Sequence, residues 1–236
     1  MERVSVREGS EPLIVVAPHG YDDTNTDLLA ETIADSLDAW AVINRGWERA
    51  RTYDYYKDHA NCNYVPHVHE DVVKEEFLDP ILNYVAALEN MYDHIMVLIV
   101  HGVSNSIIRR TKGEPLDLIV GYGAGQPPRY SCEMVVKDAL CYQFQKHQFH
   151  TYEAGPGSDY AGRTKNNLNQ LFRQHYYKDN VHSIQLEVIK ELRDDRDTTI
   201  LTGELLANAL DSLLNMRFDN KQPDDWDKIL DTIRTI

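Results

Sequence analysis

Cysteine, positive charge and long apolar runs are all scarce in this sequence. It holds three cysteines, Cys62, Cys132 and Cys141. An odd number without paired spacing argues against a disulfide framework and against a cysteine-rich zinc site. No apolar run approaches the roughly 18 residues of a membrane span, and the charged stretch from residue 1 to 11 has no secretory core. A cytoplasmic protein without a membrane partner is therefore expected. Lys and Arg total 24 against 38 Asp and Glu, a formal net charge of -14, so the basic face that nucleic acid requires is not expected. A few arginines can still build a local positive pocket for a small anion. There is no Gly/Ser linker, low-complexity tract or repeat, and 236 residues suit one domain over 1–236 with a core of its own.

What the sequence does have is a set of short apolar runs that stop at polar residues. Leu13 to Ala17 ends in Pro18-His19-Gly20-Tyr21-Asp22-Asp23, and Ile95 to Val100 ends in His101-Gly102. Ile184-Gln185-Leu186-Glu187 places a carboxylate inside a third run. Runs that are apolar throughout read as strands buried on both faces. Between them, Leu28, Leu29, Ile33, Ala34 and Leu37 recur with helical spacing, with Thr24, Asn25 or Thr26 as the cap. A second strand over 39–43 exits at Asn44-Arg45-Gly46, and a long polar loop covers 47–69.

Helical patterning resumes over 70–90, interrupted at Asp79-Pro80, with the proline in the first turn of a second helix. Further strands are expected over 94–100, 117–120, 148–152 and 181–188. Helices are expected over 132–146, 166–175, 203–214 and 224–236, the last with a solvated acidic face. Strands alternating with helices imply an α/β fold, a three-layer α/β/α arrangement on a mostly parallel mixed sheet. Ligands of such sheets sit beyond the carboxyl ends of the strands, so His19, Asn44, His101, Gly121 and Glu187 should converge on one rim.

Two imidazoles, a nearby aspartate and a distant glutamate are what a hydrolytic zinc site needs. Zinc takes three N or O ligands from the protein and keeps one position open, and a free carboxylate moves the proton. His19 and Asp22 give an H-x-x-D spacing that lets one loop offer two ligands, with Asp23 competing for the role. The ordinary reading of both aspartates is a turn or helix cap. His101 shares the strand-end placement of His19, whereas the histidines at 59, 67, 69, 94, 147, 150, 175 and 182 lack it. Glu187, flanked by Ile184, Leu186 and Val188, needs a partner or a task if it is buried. The Gly121–Gly125 loop lacks the order and following helix of a phosphate cradle, and no G-x-S-x-G elbow exists for a serine mechanism. Arg163 and Lys165, near the Gly155–Gly162 loop, are substrate-carboxylate candidates.

Together, Pro18-His19-Gly20, the early aspartate, Val100-His101-Gly102 and Gln185-Leu186-Glu187 resemble the N-formylglutamate amidohydrolase family, and more widely the zinc carboxypeptidases and the aspartoacylase group. The resemblance spans about residues 13 to 190 and implies a zinc-peptidase-like fold and hydrolysis of an amide next to a carboxylate. It implies His19, Asp22 and His101 as ligands of one Zn2+, or another divalent ion, and Glu187 as general base. Asn61-Cys62-Asn63-Tyr64 lies where relatives carry Asp-x-Asn-Arg, so Asn63 is retained and Tyr64 replaces the arginine. Arg45, Arg49, Arg51 or Arg163 must then supply the positive charge for a small anionic N-acyl amino acid or peptide-like amide. The runner-up expectation is a catalytically silent small-molecule or nucleotide-binding protein of the same fold, which metal content would discriminate.

Overall fold

A computed structural model describes residues 2–107 and 114–217. Its elements in chain order are β1 (Val4–Arg7), β2 (Leu13–Ala17), α1 (Thr26–Leu37), β3 (Trp40–Asn44), α2 (Asp79–Leu88), β4 (Ile95–Val103), β5 (Leu118–Gly121), α3 (Met134–Lys146), β6 (Thr151–Glu153), β7 (Val181–Ile189) and α4 (Arg196–Arg217). The strands form one sheet in the order β1-β3-β2-β4-β7-β5-β6. β3, β2, β4 and β7 are mutually parallel. β1 runs antiparallel to β3, and β5 antiparallel to β7.

The central strands β2, β3, β4, β5 and β7 are buried on both faces, and side-chain alternation divides the core in two. Leu13, Val15, Met96, Leu98, Val100, Ile184, Leu186 and Val188 pack with Leu29 and Ile33 of α1, Leu140 and Phe144 of α3, and Leu210 of α4. Ile14, Val16, Val97 and Ile99 face the other way, onto Trp47, Phe77, Ile81 and Phe172. The apolar runs of the sequence are thus central strands of an α/β/α sandwich. His101 and Glu187 fall on the second face, the one shared with Val97 and Ile99.

The local structure departs from the sequence expectation in places. Val4–Arg7, within the charged start of the chain, is an edge strand, buried at Val4 and exposed at Val6. Over 70–90, a turn at Asp71–Val73 and a π turn at Lys74–Leu78 lead without a gap into α2, which starts at Asp79 with Pro80 in its first turn as the sequence indicates. Proline has no N–H to donate, and a wider turn there accommodates that loss without breaking the rod. The helix expected over 166–175 is only a short 3-10 turn at Leu168–Phe172, capped by the Asn167 side chain on Asn169 N. Asparagine competes with helix by bonding nearby backbone, which ends the segment early. The expectation for 224–236 lies outside the described residues.

The direction of β5 also corrects the picture of the rim. Because β5 is antiparallel to β7, Ile119 lies opposite Glu187 and Gly121 opposite Gln185. Its carboxyl end therefore points away from His101, and Gly121 does not join the other strand ends.

Candidate active site

The turn after β2 is where the site begins. Asp22 N and Asp23 N both donate to His19 O, at 3.0 and 2.8 Å. The second of these is the i, i+4 bond of a helical turn, which brings residue 23 over residue 19. His19 Nδ1 lies 3.6 Å from Asp23 Oδ2, and His101 Nδ1 lies 3.9 Å from the same oxygen. The two imidazoles meet edge-on at 4.9 Å. One ligand-capable atom from each of His19, Asp23 and His101 lies within 4.8 Å of the others. Asp22, which the H-x-x-D spacing indicated, is not part of this group. Its Oδ2 accepts Arg49 N at 2.7 Å instead.

Outer partners fix the three side chains. His19 Nε2 lies 2.9 Å from Asn61 Oδ1, which also accepts from Asn63 N. An amide oxygen that accepts here assigns the proton to Nε2 and leaves the Nδ1 lone pair turned toward Asp23. Asp23 Oδ2 accepts Gly102 N at 3.2 Å, which ties the turn to the end of β4. Gly20 is required next to His19, since a Cβ there would stand 2.4 Å from Asn44 O. His101 is buried, and its Nε2 has no hydrogen-bond partner.

These contacts set the charges. Burial would raise the Asp23 carboxyl, but hydrogen bonding and charge from His101 and His19 outweigh it and hold the group well below the usual carboxylate range. Burial pushes the His101 imidazole down to about 4, against the opposing pull of Asp23. A neutral imidazole keeps its lone pair for a ligand. Two imidazoles, one of them with an unsatisfied buried nitrogen, and an ionised carboxylate form a donor set that fits a divalent ion of the zinc type.

Glu187 is next to this group through the sheet. It is the register partner of His101 on the neighbouring parallel strand, so the two Cα atoms are about 4.8 Å apart. Burial, then the charge of Asp23, raises its carboxyl to about 7, while Gln185, Arg193 and Arg49 pull the other way. Gln185 Nε2 donates to Glu187 Oε1 at 2.8 Å, and Asn167 Nδ2 donates to Gln185 Oε1 at 2.9 Å. Gln185 and Glu187 share one face of β7 with Ser183. Ile119, opposite Glu187, also lines a cavity of about 1100 Å³ with Leu116, Phe149, Tyr152 and Tyr160.

The arginines sort by what they touch. Arg45 is engaged by Asp27, Glu31 and Ser5. Arg163 donates to the carbonyls of Pro127 and Gln126, and Arg51 is exposed. Arg49, in contrast, places Nη1 3.3 Å from His19 Nδ1 and 3.5 Å from Asp23 Oδ1. Asn63 Oδ1 is buried without a hydrogen-bond partner, and Tyr64 Oη accepts from Asn166 Nδ2 at 3.4 Å.

Sequence reasoning passed over Arg193. It is buried and donates to Val188 O, Thr24 O and Val103 O. A Cβ at Gly102 would lie 2.2 Å from its guanidinium carbon, so glycine after His101 makes room for it. No local pattern announces a residue whose partners are three carbonyls from distant segments.

No family model matches the chain, and no curated protein matches it in sequence. Solved structures do. An N-formylglutamate amidohydrolase from Ralstonia eutropha JMP134 aligns with a TM-score of 0.60 at 14% identity, covering 92% of this chain and 99% of that one. A bacteriophage poly-gamma-glutamate hydrolase gives a TM-score of 0.51 at 11% identity, over 91% and 90% of the two chains. A metallo-carboxypeptidase from Burkholderia cenocepacia gives 0.51 at 13% identity, over 91% of this chain and 66% of that one. At such identities the likeness is one of architecture, and the chain has the zinc-peptidase-like α/β fold that these three proteins share.

Proposed function

We propose that this protein is a metal-dependent hydrolase that cleaves an amide bond in a small anionic N-acyl amino acid or peptide-like substrate. The observation that carries the reading is the meeting of His19, Asp23 and His101 within 4.8 Å, directly beside Glu187 on the adjacent strand. His19, Asp23 and His101 hold one divalent ion, with zinc the natural choice for this donor set. When bound, such an ion supplies Lewis-acid polarisation of a carbonyl and makes water a stronger acid at neutral pH.

The protein's own groups do the rest. Glu187 accepts the proton from the attacking water and delivers it to the leaving amine, a task suited to a carboxyl raised toward neutrality. Gln185, itself held by Asn167, aims one carboxylate oxygen and leaves the other for that proton. Asn61 orients His19, and Gly102 N orients Asp23. Arg49 brings a guanidinium to the mouth of the site, where it pairs with a substrate carboxylate. The structural neighbours support this reading: their names describe an amidohydrolase, a poly-gamma-glutamate hydrolase and a metallo-carboxypeptidase.

The test is elemental analysis of protein purified without added metal, joined to a hydrolysis screen of N-acyl amino acids. About one equivalent of zinc that the His19→Ala, His101→Ala double variant lacks, together with release of free amine, supports the proposal. Protein that takes up no divalent ion at this group would leave a silent binding protein of the same fold.

A further inference from the structure

The opposite rim of the same two strands holds another group of metal-type side chains. His94, immediately before β4, meets His182, the second residue of β7, and Glu133 at the N-cap of α3. One ligand-capable atom from each lies within 4.8 Å of the others. His94 Nδ1 is 3.0 Å from His182 Nε2, and the rings stack at 5.3 Å with 17° between their planes. His182 is fully buried. The backbone under the three residues is fixed: Ile95 N donates to Asn180 O at 2.9 Å, Ser183 N to Ser131 O at 2.7 Å, and Ser131 Oγ to Ser183 O at 2.7 Å. Three donors from three elements are thus presented on a rigid frame, as a metal site needs.

We propose that His94, Glu133 and His182 form a second site for a divalent transition metal, structural in role and separate from the one at His101. Two imidazole nitrogens at bonding distance from one zinc-like ion stand about 3.0 to 3.4 Å apart. The present 3.0 Å separation therefore admits an ion with an opening of a few tenths of an ångström at most. Nitrogen and carboxylate donors select zinc, cobalt, nickel or copper over magnesium and calcium. Without metal, the His182 Nε2 proton lies between the two facing nitrogens; the ion takes its place, and His182 shifts to its Nδ1–H tautomer with no net release of a proton. Binding through His182 Nε2 puts a proton on Nδ1, so the long 3.5 Å contact from Glu133 N to that atom is given up. His94 and His101 are seven residues apart along β4, or about 23 Å. The two sites are therefore independent, and this one does not rest on the hydrolase reading. Occupied, it clamps the starts of β4, β7 and α3.

Cobalt(II) is a suitable probe, because its visible spectrum reports coordination. Tag-free, metal-stripped full-length protein is titrated with Co2+ while absorption and the melting temperature are followed. The His19→Ala, His101→Ala double variant should still bind about one equivalent and melt at higher temperature with Co2+ present. Adding His94→Gln or Glu133→Gln should abolish both the binding and the rise. In the otherwise unaltered protein, His94→Gln should remove one equivalent and leave any hydrolytic activity in place, a comparison that serves equally if the double variant fails to fold. A double variant that folds and binds no Co2+, or Co2+ binding unaffected by both His94→Gln and Glu133→Gln, overturns the proposal.

Discussion

The two rims of β4 and β7 carry the same chemical types, two imidazoles and a carboxylate, yet they are assembled differently. At the carboxyl rim a carboxylate oxygen stands between the rings, 3.6 and 3.9 Å from their nitrogens. At the amino rim the rings touch each other at 3.0 Å, and the carboxylate comes from a helix N-cap. The carboxyl rim also has a neighbouring glutamate raised toward neutrality and an arginine at its mouth. The contrast shows what strand ends alone supply. They bring imidazoles together at either rim, but the turn that follows decides whether an acidic ligand, a base and a cation join them.

The largest effect should come from breaking the carboxyl rim at its ligands. His101→Ala should lose one equivalent of bound metal, the one held with His19 and Asp23, and all measurable hydrolysis while the fold persists by circular dichroism. The same measurement separates the aspartates: Asp23→Asn should lose metal, and Asp22→Asn should keep it. Metal retained in Asp23→Asn and lost in Asp22→Asn would invert the assignment. Next in size, Glu187→Gln should keep its metal and slow turnover by on the order of 10²–10⁴-fold. Loss of metal in that variant would make Glu187 a ligand rather than a base.

Smaller changes sharpen the contrast in charge. Arg49→Ala removes a charge-assisted hydrogen bond worth about 1.5–3 kcal/mol, so kcat/KM should fall roughly 10- to 100-fold, with KM carrying most of it. Arg45→Lys, Arg51→Lys and Arg163→Lys should leave KM unchanged. The smallest expected effect is on stability. The folded Glu187 carboxyl is raised from 4.5 to about 7, so its favourable contribution is complete below the unfolded value and disappears as pH climbs through the folded one. His101, lowered to about 4, works in the opposite sense below pH 6.5. Comparing metal-free Glu187→Gln with the parent isolates the first effect. The variant should be no more stable at pH 4.5 and more stable by up to about 3 kcal/mol at pH 8, measured by urea denaturation.

The central strands were readable because burial on both faces leaves uninterrupted apolar runs, and their polar ends marked His19, His101 and Glu187 for attention. Choosing Asp22 over Asp23 required knowing whether the turn closes with a helical bond, which Tyr21-Asp22-Asp23 does not disclose. Gly121 misled because a short strand reads alike in either direction, and only the pairing of Ile119 with Glu187 shows that β5 runs backwards. Arg49 stood among four candidate arginines with nothing local to separate it; its place depends on the fold of the 47–69 loop. His94 and His182 were set aside because they sit at the starts of strands rather than at their ends, a rule that describes ligand rims and overlooks the other edge.

Arg193 carries a consequence for how this protein tolerates change. Its guanidinium reaches carbonyls at Thr24, Val103 and Val188, on the turn before α1 and near the carboxyl ends of β4 and β7. A single planar cation here ties the turn before α1 to the last paired residues of β4 and β7. Substitutions at position 102 are thereby judged by position 193, although ninety residues of sequence separate the two. A lineage could vary the surface helices freely while this pair drifted only in concert, so the freedom of the fold stops one residue beyond the histidine.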